Sequence, residues 1–202
     1  MFALAALVFA SAGCATTARD VPCLATTRVA ADRAEYNLRR IGVLAFQGSD
    51  LGVEEALTLQ HSLLTALSLR TQAELVPLSA ADIEEVSDNE PFRRGWTSPE
   101  TILTLAKRYK LDAIFVGTVT ERRSYQPQRL GLEAELISCD TGITIWNSSI
   151  QLDAAQDRTR LALKAWFENE RGAEATTEAW DLYLLSPSRF AEFGAAQMAM
   201  TF

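Results

Sequence analysis

The sequence predicts an α/β fold, a two-layer or three-layer sandwich with a mixed sheet in the order β-α-β-α-β-β-β and additional C-terminal helices. Two runs that are apolar on both parities, RIGVLAF at 40–46 and DAIFVGTVTE at 112–121, read as strands buried on both faces. Segments of helical period separate the early strands, which calls for parallel strands joined by right-handed crossovers. The later strands, 130–137 and 143–152, follow one another with only a turn between, which calls for an antiparallel meander.

The first strand ends at Gln47-Gly48-Ser49-Asp50, and a helix over 53–70 follows, with Leu59, Leu63, Ala66 and Leu67 on one face. Glu54 and Glu55 stand in its first turn, where the helix dipole favours acids. ELVPL at 74–78 is a second strand, and Pro77 assigns it to an exposed or terminal place in the sheet. A short helix is expected over 80–86 and a loop over 87–97. Ser98-Pro99-Glu100 then supplies a cap, a first-turn proline and an early acid for a helix running to about Lys110.

In the third strand pair, Leu130, Leu132, Ala134 and Leu136 alternate with Gly131, Glu133, Glu135 and Ile137, so this strand has one wet face. The apolar parity of the next strand slips near Trp146, which predicts a bulge or twist there. From Asp157 onward the pattern is helical again, with a stripe of Leu161, Ala165 and Trp166, an apolar segment over 179–185, and a last helix opened by Ser186-Pro187 that carries Phe190, Phe193 and Met198.

The 202 residues are 48% hydrophobic and 22% charged, enough for one sizeable core. Their formal net charge of -7 excludes a nucleic-acid partner on composition, since phosphate binding needs a basic surface. The amino terminus carries the sharpest signal. FALAALVFA at 2–10 is an uncharged apolar run followed by Ser11, Ala12 and Gly13, the layout of a secretory hydrophobic region and cleavage site. It is shorter than the ~20 residues a membrane-spanning helix needs.

The tripeptide ends on Cys14, and SAGC resembles the lipobox of bacterial lipoproteins, in which the cysteine is acylated, with chains such as palmitate, and becomes the first residue of the mature protein. The resemblance implies a signal peptide over 1–13 and, with Ala15 and Thr16 after the cysteine, an outer-membrane anchor facing the periplasm. Residues 15–39, rich in Ala, Thr and Arg without apolar period, read as part of a lipidated tether over 14–39. At about 3.4 Å per residue that tether extends at most ~85 Å. One α/β domain is expected over 40–202, with its helical extension from about 156. Cys23 and Cys139 are either disulfide partners, as an oxidising periplasm permits, or two free thiols. Both alternatives stand at the level of the sequence.

The strands IGVLAF at 41–46, LDAIFVGTVTE at 111–121 and ISCDTGITIW at 137–146 together resemble a superfamily of envelope lipoproteins that includes the curli secretion-channel lipoprotein, the penicillin-binding-protein activators and the Pel-export lipoprotein. That resemblance spans roughly residues 40–152 and implies an anticodon-binding-like α/β domain, a role in assembly, and no catalytic residues. The links at 47–52 and 122–129 are short, unlike the channel's membrane-forming hairpins. The implied function is a non-enzymatic, structural or accessory component of an envelope export or assembly complex. The alternative is an activator of a peptidoglycan synthase.

No catalytic residue, metal site or cofactor is expected. His61, the single histidine, falls mid-helix with Leu57 and Leu64 and is read as edging the core. Asp140-Thr141-Gly142 is what a tight turn between strands demands, whereas an aspartic-protease centre needs two such carboxylates. Arg122, Arg123, Tyr125 and Arg129 gather at one hairpin end and form a candidate interface, because Arg and Tyr are enriched where surfaces are buried on binding. The expected partners are the membrane, through lipid, other envelope proteins, and further copies of this chain. In a head-to-tail contact the basic tip would meet an acidic region such as Glu84-Glu85 or Asp88-Glu90, and Arg122→Glu with Arg123→Glu would dissociate the oligomer.

Overall fold

The computed structural model describes residues 21–49, 51–84, 99–171 and 180–202. Among the described residues, six strands form one mixed sheet and six α-helices pack on its two faces. The strands are β1 (Thr26–Val29), β2 (Arg40–Leu44), β3 (Glu74–Leu78), β4 (Ala113–Arg123), β5 (Arg129–Ser138) and β6 (Thr144–Asp153). The helices are α1 (Val53–Ser68), α2 (Ala80–Glu84), α3 (Pro99–Tyr109), α4 (Asp157–Arg171), α5 (Asp181–Leu185) and α6 (Pro187–Ala199).

The sheet runs β1-β6-β5-β4-β2-β3. β2 pairs in parallel with both β3 and β4, while β4-β5, β5-β6 and β1-β6 are antiparallel. Pro77 accordingly sits in an edge strand, where its missing N–H breaks no ladder bond. The both-parity apolar strands are internal. Ile41, Val43, Ala113 and Phe115 face one core, and Leu44, Ile114 and Val116 face a second.

The first core is the larger and lies under α1, α4, α5 and α6, while the second is closed by α2 and α3 through Ile83, Ile102, Leu105 and Ala106. The molecule is thus three-layered at its β2-β3-β4 side. On the β5-β6 side the second face is polar. There Asn147 Nδ2 lies 3.4 Å from both Glu133 Oε1 and Glu135 Oε1, and Gln151 Nε2 donates to Thr120 Oγ1 at 3.1 Å.

The parity slip near Trp146 is a real irregularity, since Leu136 pairs with Trp146 and Ile137 with Thr144, leaving Ile145 as an extra residue on β6. The Asp140-Thr141-Gly142 segment is a turn, with Gly142 at φ 71 and its N–H donating to Ser138 O at 2.9 Å.

Two expectations need correction. The tether expected over 14–39 already contains folded backbone: Thr26–Val29 forms edge strand β1, and a short 3-10 helix follows at Arg33–Glu35. Threonine side chains hold this edge, Thr26 Oγ1 lying 2.9 Å from Ser149 Oγ and Thr27 Oγ1 donating to Asn147 O at 2.8 Å. The stripe of α4 is also rotated from the expected one. Leu161 is 66% exposed, whereas Ala162, Leu163, Trp166 and Phe167 are buried. Apolar residues occupy nearly every position from 161 to 167, so the period alone does not select the face.

Candidate functional site

The β4-β5 hairpin brings together the four residues singled out in the sequence. Arg122 pairs across the ladder with Leu130, and Arg123 with Arg129, so the loop 124–128 closes at their level. Buried Gln128 pins it from below, its Nε2 donating to Leu184 O at 2.8 Å while Ala154 N donates to its carbonyl at 2.9 Å. Tyr125 projects outward and is 73% exposed.

The arginines do not form the free positive patch expected from their number. Arg122 is ion-paired with Glu55 in the first turn of α1, and Arg129 bridges Asp153, at 3.0 Å, and Glu121, at 3.6 Å. Arg123 Nε donates to Pro127 O at 2.7 Å, and its guanidinium carbon lies 5.5 Å from the centre of the Tyr125 ring. Acids from three elements thus pair with two of the tip's three arginines, Arg122 and Arg129, and half-exposed pairs of this kind contribute ~0–1 kcal/mol each. Beside the tip a groove of about 290 Å³ opens between the starts of α1 and α6, lined by Glu55, Thr58, Arg122, Arg129, Ser188 and Phe190.

The acidic counterpart expected for this tip, Glu85 with Asp88 and Glu90, lies outside the described residues, as do the side chain of Glu84, the leader 1–13 and Cys14.

The two remaining cysteines are free thiols. Cys23 is exposed on the α6 side, with its Sγ 3.8 Å from Gln197 O, whereas Cys139 is buried in the core under α2 and α3. The sheet separates them, so the disulfide alternative is not formed. Burial, reinforced by the carboxylates of Asp140 and Asp112, pushes the Cys139 thiol up to about 12.

A second and larger groove, of about 420 Å³, runs between α1, α4 and α6 and includes Val21, His61, Ala66, Leu69, Trp166 and Met200 in its walls. His61 is therefore an exposed groove residue; the expected place at the core edge is taken by Leu59, Leu63 and Leu67. The chain enters the fold beside this groove. Leu24 N donates to Gln197 Oε1 at 2.7 Å, and the fully buried Gln197 amide also reaches Met200 Sδ at 3.5 Å. Sequence reasoning missed this clamp. The only available signals were a glutamine on an otherwise apolar helix face and the β-branched Thr26, Thr27 and Val29. Among the described residues no group of three or more His, Cys, Asp or Glu side chains is placed to hold a metal ion, and no helix is long and apolar enough to cross a membrane.

No protein-family model matches the chain, and no curated protein matches it. Solved structures similar to it include the PelC dodecamer from Paraburkholderia phytofirmans, at 14% identity and a TM-score of 0.46, covering 68% of this chain and 89% of that one. Lipoprotein GNA1162 from Neisseria meningitidis is similar at 21% identity and a TM-score of 0.43, covering 56% and 79%. The C-terminal domain of LpoB from Escherichia coli is similar at 11% identity and a TM-score of 0.41, covering 60% and 92%.

Proposed function

We propose that this chain is a lipoprotein of the bacterial cell envelope, held by lipid on Cys14 at the periplasmic side of the outer membrane, whose α/β domain acts by binding within an export or assembly complex. The observation that carries this reading is the leader itself, an apolar run and a small-residue tripeptide ending on Cys14, placed just ahead of a docked strand. Lipid on Cys14 would confine the domain to the membrane plane and raise the effective concentration of partners there. Stable attachment needs more than one acyl chain, which the lipoprotein reading supplies.

The entry of the chain at Val21 favours a membrane-proximal role over the alternative of an activator that reaches a distant peptidoglycan synthase. Only seven residue steps separate Cys14 from Val21, a reach of at most ~25 Å in place of the ~85 Å of the longer tether. Changing Cys14→Ala tests the anchor: the variant is expected as unprocessed precursor or as soluble protein. A processed Cys14→Ala protein that still fractionates with membranes overturns the reading.

The binding surface in this reading is the β4-β5 tip, and its exposed Tyr125 is the residue best placed to be buried by another envelope protein or a second copy. Arg122 and Arg129 orient the tip through their internal ion pairs.

A further inference from the structure

Cys14 and the first described residue, Val21, are close in the chain, and Val21 lies on one particular face of the domain. Val21 lines the groove between α1, α4 and α6, and the bonds from Leu24 to Gln197 and from β1 to β6 fix the chain immediately after it. The seven residue steps from Cys14 to Val21 reach ~25 Å at full extension, while a domain of this size is ~40 Å across. The side of the domain remote from Val21 therefore cannot rest on a membrane that holds Cys14.

We infer that the helical face bearing the α1-α4-α6 groove is turned to the phospholipid bilayer and rests on its headgroup layer, leaving the opposite face of the sheet to periplasmic partners. This rests on the anchored reading above and adds an orientation to it. The groove's chemistry suits a headgroup layer. Leu69, at the end of α1, is 72% exposed beside Arg70, so an apolar side chain and a cation are offered together. Arg189, Glu170 and Glu192 also line the groove, so both signs of charge meet lipids whose headgroups carry both. The face turned away carries α2, α3 and the polar rows of β5 and β6, with Glu133 and Gln151 exposed.

The test uses the full-length protein purified from membranes and reconstituted into phosphatidylethanolamine and phosphatidylglycerol vesicles doped with a headgroup-nitroxide lipid. In a Cys23→Ser background, which removes the exposed native thiol and leaves Cys139 buried, an environment-sensitive fluorophore is placed at Leu69→Cys on the groove or at Leu103→Cys on α3. Both positions are exposed, so the substitutions leave the cores intact. The expected result is several-fold stronger nitroxide quenching at position 69 than at 103, with position 103 open to a water-soluble quencher. Equal quenching at both positions, or stronger quenching at 103, overturns the orientation while the anchor stands. Shielding of position 69 from water without nitroxide quenching means that protein covers the groove, and it overturns the orientation too. Failure of the protein to float with vesicles overturns the anchored reading and the orientation with it.

Discussion

Buried Gln60 makes bonds that an apolar residue in its place cannot. Gln60, on the core face of α1, is 5% exposed, and its Nε2 donates to Val43 O at 2.7 Å and Leu78 O at 2.8 Å. It thereby satisfies carbonyls of both parallel strands where they pass under the helix. Replacing Gln60→Leu nearly keeps the volume but removes both of these hydrogen bonds in the core, and urea unfolding is expected to show a loss of about 1–3 kcal/mol. Cys139 gives a prediction with a sign. Its thiol holds its proton in the folded state up to about 12, against an ordinary value of 9.0. Above pH 9.0 the unfolded chain binds fewer protons at this site than the folded one, so stability is full below that value and falls as pH rises towards about 12. Cys139→Ala should flatten that alkaline slope in thermal melts. In the native protein a thiol reagent at mild alkaline pH should modify Cys23 and spare Cys139, which denaturation then exposes.

Among the elements, the strap from Val21 to Val29 is held by hydrogen bonds and by Val21, Leu24 and Ala25, which are partly buried against the larger core. All four β1 residues are exposed, and the Gln197 amide supplies the buried anchor point. Gln197→Ala should therefore raise hydrogen exchange in the segment 21–29 several-fold while protection of β4 and β5 stays as it was. Uniform loss of protection across the sheet would mean that the strap is part of the cooperative core. This element was the least legible in the sequence for the same physical reason. An edge strand held by threonine hydroxyls needs no apolar face, so hydrophobic periodicity passes over it, whereas β2 and β4, buried on both faces, announce themselves. The bulge in β6 was readable because an extra residue shifts the parity of everything after it. The face of α4 was not, since apolar residues surround that helix and only packing against α5 and α6 chooses among them.

One sheet divides two cores, with α1 and the helices of the C-terminal half on one side and α2 and α3 on the other. The tip of the β4-β5 hairpin was legible as a cluster of Arg and Tyr, but its charge balance was not, because Glu55 and Asp153 come from elements far from it in sequence. That balance changes the choice of variant for self-association. Arg122→Glu would set a carboxylate against Glu55 and disturb α1, whereas Tyr125→Ala removes exposed surface and spares the ion pairs. If the tip joins copies of this chain, sedimentation of the full-length protein in detergent should show concentration-dependent oligomers that Tyr125→Ala weakens without changing the thermal midpoint. A monomer at every concentration leaves the tip to other envelope proteins. The anchor, which fixes where all these surfaces work, is tested most directly by intact-mass and N-terminal peptide analysis of the protein extracted from membranes. The expected result is a mature chain that begins at Cys14 and carries acyl chains on it, and a chain beginning at any other residue, or with Cys14 as a free thiol, contradicts the anchor.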